Sequence, residues 1–305
     1  MLLQSNSPTN QIVLKELEHS EIELWIKRDD QINPLVSGNK LFKLIRNIEE
    51  ALDKGKETIL TFGGAYSNHI AATALYCKIN GLKSIGVIRG EETLPLNPTL
   101  NMAVKNGMQL EYISRTAYRQ KEDPSFLAAL SEEHCAPFII PEGGANWLGI
   151  LGAKSILNED TTSFDTIVCP VGTGTTMAGL MLSKEKNQKI VGINIHKHAD
   201  VLNELIGIHT ELKRLHAQDY RLENEYHLGG YANWNPALIR FIQEFHRQTN
   251  IKLDPIYTGK AMAAVVDLIQ AKTFTKGSKV LFIHTGGLQG INGFELRHNL
   301  KLFPS

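Results

Sequence analysis

Short apolar runs rich in β-branched residues punctuate the chain. They are ELWIK (23–27), TILTFG (58–63), SIGVIR (84–89), QLEYI (109–113), PFIIP (137–141), DTIVCP (165–170), KIVGINI (189–195) and KVLFIH (279–284). Each has the length of a strand and is bounded by Gly, Pro or polar residues. Between them apolar positions recur at helical spacing. The clearest helix is 41–52, where Leu41, Leu44, Ile45, Ile48 and Leu52 share one side. A second, 235–248, opens on Asn-Pro and repeats apolar positions at Ala237, Leu238, Phe241, Ile242 and Phe245; proline in the first turn is a helix-start signal. Strands alternating with helices predict an α/β fold with a mostly parallel sheet. No short-period repeat, low-complexity segment or compositional linker interrupts the pattern.

Several turn-rich loops follow an expected strand and precede an expected helix. Ligands of parallel α/β sheets bind at the carboxyl ends of strands, where such loops lie. In VGTGTTMAGL (171–180), Gly172 and Gly174 allow close backbone approach, and Thr173, Thr175 and Thr176 offer hydroxyls. The helix start behind them adds free N–H groups, so the loop reads as a phosphate cradle. The glycines at 172, 174 and 179 do not give a dinucleotide fingerprint, and the next strand ends INIHKH without an acid for a ribose. YTGKAM lacks the spacing of a nucleotide P-loop. A phosphate monoester remains.

In GGAYSNH (63–69), Ser67 and Asn68 suit a helix N-terminus able to bind a carboxylate or phenolate oxygen. Tyr257, in DPIYTGKAM, precedes another helix start, and Tyr231 stands in HLGGYANWN. The last loop is HTGG, His284 to Gly287. His196 and His198 read as strand-end histidines rather than metal ligands, and Ser67 with His69 lacks the geometry of a triad. Lys40, in NPLVSGNKLFKL, falls where the first helix begins. A cation is disfavoured there by the helix dipole, and taken alone it reads as a solvent-facing lysine beside an Asn cap.

The chain of 305 residues suits one large domain or two of about 150. Lys plus Arg equal Asp plus Glu at 32 each, which gives no electrostatic case for nucleic acid or an anionic membrane surface. No apolar run is long enough to span a bilayer. MLLQSNSPTNQIV has neither the basic start nor the apolar stretch of an export signal. Cys77, Cys135 and Cys169 show no metal or CxxC spacing, so free thiols in a reducing cytoplasm are expected.

Together these loops resemble the 1-aminocyclopropane-1-carboxylate deaminase and D-cysteine desulfhydrase family, pyridoxal-phosphate enzymes of fold type II. The resemblance runs from about Leu24 to Gly287. It rests on SGNKLFKL, SNH at 67–69, the loop 172–176, PEGGANWLGILG at 141–152, GGYANWNP and DPIYTGK, in that order. It implies two α/β domains with the cofactor between them: a small one at 48–153, and a large one formed by 1–47 and 154–305. It also implies a homodimer and no metal.

By the same resemblance Lys40 forms the covalent link to the cofactor aldehyde. The positive helix end then helps keep its amine nucleophilic. Gly172, Thr173, Gly174, Thr175 and Thr176 would hold the phosphate. Asn68 would meet the ring hydroxyl oxygen, Tyr257 would lie near the pyridine face, and Thr258 would offer a hydroxyl to the cofactor. Ser67, with Asn68 and His69, would bind the substrate carboxylate. Lys40, Ser67, Tyr231 and Tyr257 are the expected catalytic residues. Three positions depart from the family pattern: Ser37 before Gly38, Phe42 in place of an arginine, and Tyr66 in place of a glutamine.

Thr258 and Thr285 match the desulfhydrase branch, whereas the deaminase branch carries an acid and a leucine there. A carboxylate beside the pyridine nitrogen makes a stronger electron sink, which opening a cyclopropane should need and expelling a thiolate need not. The expected reaction is therefore lyase chemistry: β-elimination from D-cysteine or a similar small D-amino acid, giving pyruvate, ammonia and sulfide. The alternative is deamination of 1-aminocyclopropane-1-carboxylate to 2-oxobutanoate and ammonia, with which a hydrolase class is also expected. A non-catalytic binder of a phosphorylated ligand is the rival from another class.

Overall fold

The computed structural model describes residues 7–33, 36, 38–197, 201–209, 211–214 and 217–303. Residues 1–6, Ser37 and His198, each read above, lie outside them. The described strands are β1 (Thr9–Ile12), β2 (Glu23–Lys27), β3 (Thr58–Gly64), β4 (Lys83–Arg89), β5 (Met108–Ile113), β6 (Phe138–Ile140), β7 (Thr166–Val171), β8 (Lys189–Asn194), β9 (Tyr220–Glu223) and β10 (Lys279–Ile283). They form two sheets, ordered β1-β2-β10-β7-β8-β9 and β5-β4-β3-β6. All neighbours run parallel except β1 against β2. The expected α/β class with mostly parallel sheets is what the chain adopts.

Each expected strand forms within one residue of its reading. The larger sheet is buried on both faces, as parallel sheets must be. Val280 and Phe282 face a core built with Leu238, Ile242, Ala261 and Val265 from the helices Pro236–Thr249 and Thr258–Gln270. The alternate residues Leu281 and Ile283 face Leu41, Leu44 and Ile48 of the helix Asn39–Asp53, with Met177 and Leu180. That helix starts two residues earlier than its apolar pattern suggests, so Lys40 is its second residue.

Glycine contacts pack the site's helices together. A Cβ on Gly152, in the helix Trp147–Ala153, would stand 2.0 Å from the carbonyl oxygen of Phe42. One on Gly179, in the helix Thr175–Ser183, would stand 2.5 Å from the Ala153 side chain. The stretch PEGGANWLGILG thus has a packing role: it seats one short helix between the helix bearing Lys40 and the helix behind the glycine-threonine turn. Asn47 and Asn146 exchange side-chain hydrogen bonds across the same contact, at 2.7 and 3.2 Å. Among the described residues no helix is long and apolar enough to cross a membrane.

Candidate active site

The loops after β3, β7 and β10 and the start of the Asn39–Asp53 helix meet around one cavity of about 560 Å³. Gly38 sets the approach to Lys40. Its φ is +73°, and a Cβ there would lie 2.1 Å from the Thr285 carbonyl oxygen, so only glycine fits without displacement. The Gly38 N–H donates to Asp29 O at 2.8 Å and the Asn39 N–H to Thr285 O at 3.2 Å.

Lys40 is partly buried and lines the cavity. Desolvation lowers its pKa from 10.5 to about 8, with Asp254 pulling the other way. The amine that a helix start disfavours as an ammonium is therefore available near neutral pH. Its neighbour Asn39 donates to Thr176 Oγ1 at 2.8 Å and so ties the lysine to the glycine-threonine turn.

Gly172, Thr173, Gly174 and Thr176 line the same cavity. Gly174 has φ +75° and caps the helix Thr175–Ser183. Thr175 is fully buried behind the turn, and its hydroxyl is 2.9 Å from that of Thr173. A Cβ on Gly172 would touch the Tyr257 ring at 3.3 Å.

Ser67 caps the helix Asn68–Ile79 and accepts from the Ile70 N–H at 3.3 Å. The next two residues present unpartnered buried acceptors, Asn68 Oδ1 and His69 Nδ1. The His69 tautomer follows from its neighbour. Thr61 gives its hydroxyl hydrogen to Ile140 O at 2.8 Å, so it must accept from His69 Nε2–H at 2.9 Å, which leaves Nδ1 bare. Burial, then Lys40 and Lys43, hold His69 well below its usual pKa, so the ring stays neutral.

Tyr231 and Tyr257 meet edge to face at 5.9 Å, and Tyr231 stacks on His196 at 5.2 Å. Desolvation raises both phenols. Proximity to Tyr231 raises Tyr257 further.

Thr258 is placed differently from its reading. It is fully buried and does not line the cavity. Its hydroxyl donates to Asp254 Oδ2 at 2.6 Å and accepts from the Asp254 N–H at 2.9 Å, which uses its hydrogen and one lone pair inside the protein. Asp254 takes that place in the wall, and it too is engaged. Oδ1 accepts from the N–H groups of Ile256 and Tyr257, and Oδ2 from the N–H and hydroxyl of Thr258.

Other residues of the site escaped the sequence reading. Lys43, 3% exposed, donates to Gly143 O at 3.3 Å; desolvation, then Lys40, drives its pKa well down. Its spacing of three from Lys40 on one helix face was the available signal. His196 lies in the cavity wall, not simply at a solvated strand end. Thr285 was weighed as a branch marker and lines the wall itself. His284 is structural: Nδ1 accepts from the Gly286 N–H, so Nε2 donates to Lys252 O at 2.8 Å. The described residues contain no cluster able to hold a metal ion, and Cys77, Cys135 and Cys169 are free thiols.

A lysine at a helix start, sharing a cavity with a glycine-threonine anion seat at the carboxyl edges of parallel strands, defines a site for a phosphorylated carbonyl cofactor. The chain belongs to the pyridoxal-phosphate-dependent enzyme family, whose sequence profile matches residues 2–286. It is accordingly an enzyme, and pyridoxal phosphate is its cofactor.

Its relatives are narrower. It is 34% identical over 288 residues to a Pyrococcus horikoshii protein provisionally named 1-aminocyclopropane-1-carboxylate deaminase, covering 88% of this chain and 85% of that one. It is 31% identical to the mitochondrial bifunctional D-cysteine desulfhydrase/1-aminocyclopropane-1-carboxylate deaminase of Arabidopsis thaliana, covering 88% and 73%. The crystal structure of a 1-aminocyclopropane-1-carboxylate deaminase homologue superposes with a TM-score of 0.84 at 30% identity, covering 98% of this chain and 95% of that one.

The chain thus falls among the lyases of deaminase and desulfhydrase type, with the fold of type II pyridoxal-phosphate enzymes. That family corrects the hydrolase class expected beside the deaminase reading: its chemistry is cofactor-dependent lyase chemistry, not attack of water on the scissile bond. The non-catalytic binder is likewise set aside.

Proposed function

We propose that the chain eliminates the β-substituent of a small D-amino acid, D-cysteine first, and releases pyruvate, ammonia and sulfide. The observation that carries this is the engagement of Asp254. Of the acids in the cavity wall, Asp254 has both oxygens taken by four donors, and Glu142 is 3.7 Å from Lys121. The wall at HTGG offers the hydroxyl-bearing Thr285 instead of a free carboxylate. A hydroxyl supports a moderate electron sink, enough for a thiolate leaving group.

The residues present fit the cofactor. The turn 172–174 has no Cβ at Gly172 or Gly174 to obstruct a phosphate, and the helix Thr175–Ser183 points its N-terminus there. Lys43 adds an N–H donor beside Gly143, which itself abuts Thr173. Asn68, with its unpartnered buried Oδ1, would meet the ring hydroxyl. Tyr257 would lie near the ring face and Lys40 would make the covalent link. Thr258 would act through Asp254 and not by direct contact.

When bound, pyridoxal phosphate supplies a covalent hold on the substrate nitrogen and a sink for the electrons of the broken bond. The chain's own groups would do the rest. Ser67 and the amides at the start of the Asn68–Ile79 helix would hold the substrate carboxylate, with His69 Nδ1 as an acceptor beside them. Lys40, with a pKa of about 8, suits removal of a proton from the α-carbon; such transfer contributes roughly 10²–10⁴-fold. Tyr231, a phenol that desolvation keeps protonated in the cavity wall, suits protonation of the departing group.

The two sheets support a division into 48–153 and 1–47 plus 154–305, with the site between. The free thiols suit a reducing cytoplasm, and the homodimer rests on the family resemblance alone.

Deamination of the cyclopropane amino acid is the second reading, favoured by the names of the relatives. Product assays separate the two. The expected result is sulfide and pyruvate from D-cysteine, with a visible absorption band abolished by borohydride. Release of 2-oxobutanoate alone, and only from the cyclopropane amino acid, would refute the proposal.

A further inference from the structure

Lys260 is the third residue of the helix Thr258–Gln270 and is 2% exposed. A cation in a first turn faces the positive end of the helix dipole, and a buried ammonium is expensive unless it is well partnered. Among the described residues no carboxylate pairs with it. Its Nζ donates instead to two backbone carbonyls, those of His227 and Gly230, at 2.9 Å each. Lys260 does not line the cavity, so it has no direct part in the chemistry.

Those two carbonyls bracket an unusual piece of backbone. Leu228, Gly229, Gly230 and Ala232 all have positive φ, from 55° to 129°. Two of them carry side chains, for which that region is unfavourable. The main-chain bonds available are Gly230 N–H to His227 O at 3.0 Å and Asn233 N–H to Gly230 O at 3.3 Å. Both use the same carbonyls that Lys260 holds. The residue after Gly230 is Tyr231, 41% exposed at the cavity mouth and in contact with His196 and Tyr257. Tyr257 directly precedes the helix that carries Lys260. One helix start therefore presents Tyr257 itself and reaches Tyr231 through an ammonium clamp.

We propose that Lys260 is the positioning residue for Tyr231: by holding both ends of the 227–230 turn it keeps the Tyr231 side chain against His196 and Tyr257 in the cavity wall. This rests on the reading that Tyr231 acts on the substrate. Desolvation lowers the Lys260 pKa to about 8, with Asp254 opposing. The clamp survives that titration, since a neutral amine still has two N–H groups for the two carbonyls.

The test uses the holoenzyme with Lys260→Met, Tyr231→Phe and the double variant. Lys260→Gln, which keeps amide N–H donors on a shorter stem, serves if the methionine variant does not fold. Lys260→Met should lower kcat roughly 10- to 100-fold, the scale of an ångström-sized misplacement, with KM within about 3-fold. The double variant should be no slower than Tyr231→Phe alone, because both changes remove one function. Amide hydrogen exchange across 228–233 should accelerate at least about tenfold in Lys260→Met, while the helix Pro236–Thr249 exchanges as before.

Unchanged exchange in 228–233 would overturn the clamp whatever the activity. Kinetic losses that multiply in the double variant would overturn the link to Tyr231. Faster exchange beside a fully active Tyr231→Phe enzyme would overturn both the positioning role and the part given to Tyr231 above. The exchange measurement needs no substrate, so it separates failure of the clamp from failure of the proposed reaction.

Discussion

Replacing Lys40 with methionine should make the cofactor-free protein more stable at neutral pH, although it removes the residue on which the chemistry depends. In the unfolded chain Lys40 titrates near 10.5; in the fold desolvation brings it to about 8. Between those values the unfolded state binds more protons than the folded one, so stability rises with pH across that window. Below pH 8 the whole penalty is present. At 1.36 kcal/mol per pKa unit it amounts to about 3 kcal/mol, and the partial exposure of Lys40 reduces this to about 1–3 kcal/mol.

Methionine keeps an unbranched stem and carries no charge. Lys43 and His69 should gain as well, since Lys40 lowers both. Asp254 loses a favourable neighbour but keeps its four donors. Urea denaturation of both cofactor-free proteins at pH 7 and pH 10 measures the effect. The variant should lead by about 1–3 kcal/mol at pH 7 and by much less at pH 10. A variant no more stable than the parent at pH 7, or a lead that does not shrink with pH, would refute the reasoning.

Gly38→Ala should lose about 1–3 kcal/mol from its positive φ alone and should retain cofactor poorly, because the new Cβ meets Thr285 O at 2.1 Å; thermal melts and the visible band report the two effects. Thr176→Val breaks the 2.8 Å bond to Asn39 and should cost about 1 kcal/mol, with weaker pyridoxal-phosphate binding by titration, whereas Thr176→Ser should stay near the parent. Asp254→Asn removes the charge that props up Lys40. The pH midpoint for cofactor capture should fall below about 8, and a midpoint that holds or rises would contradict the assignment.

The strands of the two sheet interiors were legible because both faces are buried, which writes them as unbroken apolar runs. β1 and β9, TNQI and YRLE, were not. Both are edge strands with one buried position or none, so no alternation marks them. The glycine-threonine turn and SNH were readable because local chain features signal them: glycines where the backbone must turn, threonines and Ser-Asn where a helix begins. Lys40 has no such signal, since its own surroundings read as a solvent-facing lysine, and only the family resemblance pointed to it.

Thr258 was misplaced because its partner is four residues back, and a side chain facing its own turn looks in sequence like one facing a ligand. Lys43 was passed over because burial, the property that makes it unusual, belongs to the fold. The stacking of His196 on Tyr231 joins two loops far apart in sequence, and nothing local to either signals it.

The glycine contacts of Gly152 and Gly179, with the Asn39–Thr176 bond, weld the lysine and the anion seat into one block. Ser67, Asn68 and His69 ride on a different sheet, behind β3. The distance between the cofactor's two tethers is thus set by close backbone contacts and a direct hydrogen bond, whereas the room left for the substrate also depends on how the β3 sheet packs against them. Rocking of one sheet against the other would widen or narrow the substrate's berth without stretching the tethers. Evolution could therefore exchange substrates by adjusting that gap and keep the same anchorage.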